Sequence, residues 1–390
     1  MEKTQETSEE NSWENRLSLD AQKEVQKIRK QMEESLDEKR TQEIEKEILL
    51  HWDQLFKPIE GLGKFEKMLA KIGGIQKKTI PDLSKRAMLI MCADNGVVEE
   101  GISQSGQEMT WKVTKNLAKG RSSVCYMAKT ANVDVIPVDV GIASKTSMDG
   151  VWDYKVTQGT KNFLKQPAMT QVETWKAIKA GIDCVNRCKD LGFTILGTGE
   201  MGIGNTTTSS AMAAALLGKE VEELTGRGAG LSDDGLRRKK QVIAAALEQY
   251  GIQKNADAFT ILSHVGGLDL AALTGVYIGG VIYRIPVILD GVISSVAALT
   301  AQRLFPGAKA CMLPSHLGKE PASRLLLEEL ALSAVIQGDL ALGEGTGAVM
   351  LFPLLDMAKA LWENGETFQN SEVVPYERFQ HREAIPTAKS

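Results

Sequence analysis

The feature that most constrains this chain is a rhythm that begins near residue 86. Short continuous apolar runs recur at Ala87–Cys92, Val133–Val138, Phe193–Leu196, Phe259–Leu262, Pro286–Leu289 and Ala308–Leu313. Each is followed by Gly, Asp, Asn, His or Ser, and then by a helix-like stretch such as Thr170–Leu191, Gly235–Tyr250 or Glu320–Ile336. The runs do not alternate polar with apolar, so they read as strands buried on both faces of a parallel sheet. Parallel neighbours need long crossover connections, which the helical intervals supply. The rhythm therefore predicts an α/β fold with a mainly parallel sheet. In such sheets ligands bind beyond the carboxyl ends of the strands, so the residues directly after each run become candidates for chemistry.

The chain of 390 residues is long enough to bury a sizeable core, and 43% hydrophobic with 25% charged residues excludes a disordered or fibrous class. Net charge is −4, which argues against a nucleic-acid binder or a basic membrane-surface protein. The charge is uneven. Residues 1–50 hold 14 acidic and 9 basic side chains, net −5, against 36 and 37 in the remainder, net +1. The five cysteines form no CxxC pair and no even framework, consistent with reduced thiols and a cytoplasmic setting. The hydrophilic start does not read as a secretory signal, and no apolar run reaches the roughly 18 residues of a membrane span. Residues 1–15 read as a disordered acidic tail. Leu17, Val25, Ile28, Met32 and Leu36, then Ile44, Ile48 and His51–Leu55, predict two amphipathic helices. They read either as a cap on the core or as an arm for a partner subunit.

Several segments carry chemical meaning. After the third run, Gly197–Thr208 places glycines at 197, 199, 202 and 204 before an Asn-Thr-Thr-Thr start to an Ala-rich helix. Glycines admit close backbone approach, and a helix N-terminus offers free N–H donors and partial positive charge. The loop reads as an anion site or as a plain capped turn. It lacks the Gly-Lys-Ser/Thr of a P-loop. Gly226–Gly230 with Arg237, Arg238, Lys239 and Lys240 forms a second anion-competent stretch, one Lys reaching the glycine loop. Glu344 lies in Gly-Glu-Gly-Thr-Gly, as a helix-opening acid or a general base in a cleft. Glu200 carries the same ambiguity. His264 and His316, with Asp269, Asp290 and Glu320, raise a weaker possibility of a metal site, although no HxxxH or HExxH spacing supports it.

Together, Ala93–Gly101, Gly199–Thr207, Gly226–Gly230, His264–Asp269 and Gly343–Ala348 resemble, in order and spacing, the nicotinate-nucleotide–dimethylbenzimidazole phosphoribosyltransferase family. The resemblance runs from about Trp52 to Ala360. It implies phosphoribosyl transfer from nicotinate mononucleotide to 5,6-dimethylbenzimidazole, with no metal or other cofactor. It implies that Glu344 is the catalytic base. Gly202, Ile203, Gly204, Asn205, Thr206, Thr207, Gly228 and Lys239 would bind the phosphate and nucleotide. Gln107, Glu200, Met201 and Leu342 would bind the base. It further implies a Rossmann-like large domain with a smaller helical domain built from both chain ends, and a homodimer. The expected divisions are a tail at 1–15, N-terminal helices at 16–80, the catalytic domain at 81–348, and a C-terminal helix and tail at 349–390. The sequence departs from the family at Asn95, where His is common, at Ala322-Ser323, where Gly-His is usual, and at Ala341, where Arg is common. These departures bear on substrate preference and rate.

Overall fold

A computed structural model describes residues 12–252 and 256–377. Its centre is a sheet of six strands, all parallel: β1 (Arg86–Ala93), β2 (Asp134–Gly141), β3 (Trp152–Asp153), β4 (Ile195–Met201), β5 (Val287–Leu289) and β6 (Met312–Pro314). Their order is β3-β2-β1-β4-β5-β6. The chain builds outward from β1 to β3. The helix Gln171–Asp190 then carries it back to β4, on the other side of β1. That helix opens with a capping box, Thr170 and Glu173 each satisfying the other's backbone N–H. The strand order reverses between β1 and β4, which opens a crevice at their carboxyl ends, as in Rossmann-like sheets.

The unbroken hydrophobicity of the first run has a direct cause. Ala87, Leu89, Met91 and Ala93 pack into one core with the helices Gln171–Asp190, Leu268–Ile282 and Val292–Leu304. Met88, Ile90 and Cys92 pack into a second core with Glu38–Gln54, Lys64–Gln76 and Thr346–Asn364. Both faces of β1 are covered, so neither carries polar residues. Helices from the two ends of the chain thus share one face of the sheet. The two amphipathic N-terminal helices are present as Leu19–Ser35 and Glu38–Gln54, and they part company. Val25, Ile28 and Met32 join the first core, whereas Ile44, Ile48 and Trp52 join the second.

Four expectations are corrected. Phe259–Leu262 is not a strand but the middle of the helix Ala258–Val265, opened by Asp257, whose carboxylate accepts the Thr260 N–H at 2.9 Å. A run as short as Phe-Thr-Ile-Leu has no period long enough to separate helix from strand, and the N-cap decides. Ala308–Leu313 is strand only at its end, since Ala308–Cys311 forms a 3-10 turn. The helix in Glu320–Ile336 stops at Glu329, and Ile336–Gln337 pairs in parallel with His316–Leu317. Residues 12–15 are ordered: Trp13 is buried and stacks on Phe259 with ring centroids 4.7 Å apart. Residues 1–11 of the expected tail, and 378–390 at the other end, lie outside the described residues.

Candidate active site

The crevice at the switch point is a cleft of about 280 Å³. Its walls include Glu200, Met201, Gly202, Ile203, Gly204, Asn205, Thr206, Gly228, Leu342 and Glu344. Of the residues singled out from sequence, Gln107, Thr207 and Lys239 stand behind this wall. Gln107 opens the helix Glu108–Ala118 and donates to the Asn95 carbonyl at 3.1 Å. Thr207 is fully buried in the helix Asn205–Leu217.

Lys239 reaches the cleft through Thr206. It projects from Asp233–Gln249, is 0% exposed, and donates to Thr206 Oγ1 at 3.0 Å and to the Gly226 carbonyl at 3.1 Å. Both partners are neutral. Burial pushes its pKa down to about 8, with Glu320 pulling the other way. Glu320 is itself occupied by the Gly228 N–H, at 3.0 Å. A buried ammonium, the first turn of a helix and the Gly226–Gly230 backbone thus converge on one end of the cleft. That is an arrangement suited to a phosphate. Thr110 fixes the intervening loop by accepting the Ile203 N–H at 3.1 Å.

Glu344 occupies the other end. Its backbone φ is +58°, between Gly343 and Gly345, both at +84°. Gly345 cannot be replaced without strain, because its φ is in the left-handed region and a Cβ there would press on the Thr198 carbonyl oxygen at 3.0 Å. Glu344 Oε2 accepts from Ser122 Oγ at 2.6 Å and from the Val124 N–H at 3.3 Å, at the start of the helix Ser123–Thr130. A helix N-terminus and a hydroxyl therefore hold the carboxylate in place. Asp290, directly after β5, anchors the next turn by accepting the Gly347 and Ala348 N–H groups at 2.9 and 3.1 Å. The Gly347 backbone lies flat on His316, so close that a Cβ would fall 2.1 Å from Nδ1.

His316 Nδ1 meets Ser315 Oγ at 3.0 Å, and Ser315 donates to the Leu289 carbonyl at 2.6 Å. The hydroxyl proton is committed to Leu289, so Nδ1 carries the ring hydrogen and Nε2 faces Gly291 and Gly318 as an acceptor. Burial lowers the His316 pKa against the pull of Asp290, and burial raises Asp290 against the pull of His316. His264 is elsewhere in function: its Nδ1 bonds the Thr260 carbonyl within its own helix, and its ring packs edge-on to Tyr250. Among the described residues no group of His, Cys, Asp and Glu is arranged to hold a metal ion.

Glu200, the penultimate residue of β4, lines the cleft and is 9% exposed. Asn205 Nδ2 donates to Glu200 Oε2 and, at 3.1 Å, to Asp269 Oδ2. Burial raises Glu200 to about 8 and Asp269 to about 6.

A family model described as phosphoribosyltransferase matches residues 38–373. The chain belongs to the nicotinate-nucleotide–dimethylbenzimidazole phosphoribosyltransferase family. A relative of that name from Acetivibrio thermocellus is 42% identical over 325 residues, covering 83% of this chain and 92% of the relative. Another, from Clostridium acetobutylicum, is 39% identical over 341 residues, 87% of this chain and 96% of its own. The crystal structure of CobT from Thermus thermophilus superposes with a TM-score of 0.80 at 37% identity, covering 85% of this chain and 99% of that one. The family's glycine loop and its Gly-Glu-Gly-Thr-Gly segment are thus two walls of one cleft in this chain. Sequence reasoning missed Ser122, which sits in Arg-Ser-Ser with nothing local to mark it. It had Asp290 and His316 among the residues that follow strands, and as metal candidates, but not Asp290 as the anchor of the Gly347–Ala348 turn.

Proposed function

We propose that this protein transfers the phosphoribosyl group of nicotinate mononucleotide to 5,6-dimethylbenzimidazole, giving α-ribazole 5′-phosphate and nicotinate. The observation that carries this reading is one cleft with a buried Lys239 behind a glycine-lined helix start at one end and Glu344, pinned by Ser122 and Val124, at the other. Lys239, Thr206 and Gly228 take the 5′-phosphate. Met201 and Leu342 line the place of the base. Glu344 accepts the N–H proton of the benzimidazole while the other ring nitrogen attacks C1′ of the ribose. The C1′–nitrogen bond to the pyridinium breaks, and its electron pair neutralises the departing ring. The leaving group needs no protonation, and attack from the opposite face turns a β-bond into an α-bond. Among the described residues no helix is long and apolar enough to cross a membrane. The family reading carries with it a homodimer in the cytoplasm, the first part of which light scattering on the purified protein tests.

A second reading keeps the chemistry and changes the acceptor to another base or a phenol. It is favoured by Ser323 and Ala341, which line the cleft where the resemblance expects His and Arg. Purified protein mixed with nicotinate mononucleotide and a panel of acceptors in EDTA, followed by chromatography, separates the readings. The expected result is nicotinate release with ribazole phosphate formation that survives EDTA. Tight binding without product would indicate a binding protein, and product lost with EDTA would point to a metal-dependent reaction.

A further inference from the structure

Glu200, Asn205 and Asp269 form a buried triad beneath the glycine loop. Asp269 is 0% exposed and lies on the helix Leu268–Ile282. One oxygen accepts the Leu270 N–H at 2.9 Å, and the other accepts from Asn205 at 3.1 Å. Gly202 makes room for it, since a Cβ there would lie 2.8 Å from Asp269 Oδ2. Asp269 does not line the cleft, so its line to a ligand runs through the Asn205 amide to Glu200. We propose that Asp269, acting through Asn205, is a positioning residue that holds Glu200 in the cleft as an uncharged carboxyl, so that Glu200 does not compete with Glu344 for the incoming base.

Electrostatics carries the charge assignment. One neutral amide bridges two buried carboxyl groups, and two such groups in one dry site do not both ionise. The proton belongs on Glu200. Asp269 is met by the Leu270 N–H and its own backbone N–H besides Asn205, whereas Glu200 has the Glu344 backbone and the Asn205 it shares. The other groups facing Glu200 agree. Asp290 lies beyond β5, and Asp269 and Asp290 both disfavour a second charge. Asn205 and the Glu344 backbone favour one, while burial outweighs them. Cys92 on neighbouring β1 is a buried thiol, pushed up to about 12 by burial. A charged Glu200 would repel the phosphate and carboxylate of a mononucleotide and compete with Glu344 for the benzimidazole proton. This consequence for catalysis rests on the proposed reaction; the proton itself does not.

Two substitutions separate positioning from mere support, because they move Glu200 in opposite directions. Asp269→Asn keeps the shape and removes a negative neighbour, so Glu200 titrates lower. Asn205→Ala removes the hydrogen bond that favours the charged form, so Glu200 titrates higher. Infrared difference spectra against pH read the protonated carboxyl band directly. The wild type should lose one such band near pH 8, and Glu200→Gln should lack it. The midpoint should fall by about 1 pH unit or more in Asp269→Asn and rise in Asn205→Ala. In turnover, the alkaline limb of kcat/KM for the base should follow the same shifts. A wild type with no band that Glu200→Gln removes, or two variants that shift together or not at all, would overturn the proposal. Absence of turnover alongside the expected infrared shifts would count against the reaction and not against the triad.

Discussion

Glu344 and Lys239 do different work, and substitution should separate them. Glu344→Gln keeps the hydrogen-bonding shape toward Ser122 and Val124 but cannot take a proton. Nicotinate release should fall at least ~100-fold, the usual scale for losing a general base. Near-normal turnover would remove Glu344 from that role. Lys239→Ala leaves the chemistry in place and strips the buried cation from the phosphate end. KM for the mononucleotide should rise while KM for the benzimidazole barely moves, and the reverse pattern would relocate the phosphate. The pH dependence has a definite sign. Lys239 in the free protein loses its proton near 8, so an anion binds a charged partner below that pH and a neutral one above it. The KM for the mononucleotide should therefore climb as pH passes upward through about 8 in the wild type, and that climb should shrink in Lys239→Ala to the part that ionisation of Glu200 contributes. These residues were legible as chemical types. Ser122, which holds Glu344, was not, nor was the part Asp290 plays in anchoring the following turn, because both lie in distances of 2.6 and 2.9 Å across the fold.

The helices Gln171–Asp190 and Leu268–Ile282 pack backbone against backbone. A Cβ at Gly181 would lie 1.9 Å from the Ala272 carbonyl, and one at Gly275 would lie 1.9 Å from the Ile178 carbonyl. The two backbones touch at reciprocal glycines, and this seats the helix that carries Asp269. Gly181→Ala or Gly275→Ala must spread the pair, costing ~1–3 kcal/mol by overpacking. Chemical denaturation should show that loss in midpoint, and unchanged stability would mean the helices part freely. Element type was readable where length or capping signalled it, as at Thr170 and Glu173. It failed at Phe259–Leu262, where a short, mostly apolar run fits either structure and Asp257 tipped the balance.

At the scale of the molecule, the acidic head is not a separate appendage in the part that is described. Trp13 inserts beside Phe259, Phe305 and Trp175. Arg16 pairs with Asp257 at 2.8 Å, at the cap of the same helix that Trp13 covers. The following helix packs on one face of the sheet and the next on the other, so the N-terminal segment clasps the sheet from both sides. Trp13→Ala should cost ~3–5 kcal/mol, as large core truncations do. It should leave both KM values unchanged in protein that remains folded, since no described residue of the head lines the cleft. A selective loss of substrate affinity would show that the head reaches the site.

Sequence alone determined the α/β class, the parallel sheet and the segments that matter. A strand buried on both faces must be apolar throughout, and a backbone that approaches an anion must be rich in glycine. These demands act on neighbouring residues and are written locally. Only the tertiary structure decided which segments meet. The order β2-β1-β4 brings the residues after β1 and β4 to one crevice, and a helix from far along the chain sets Asp269 against Glu200 through Asn205. Whether a carboxyl group holds its proton follows from burial and from charges contributed by other elements, and no local pattern encodes those.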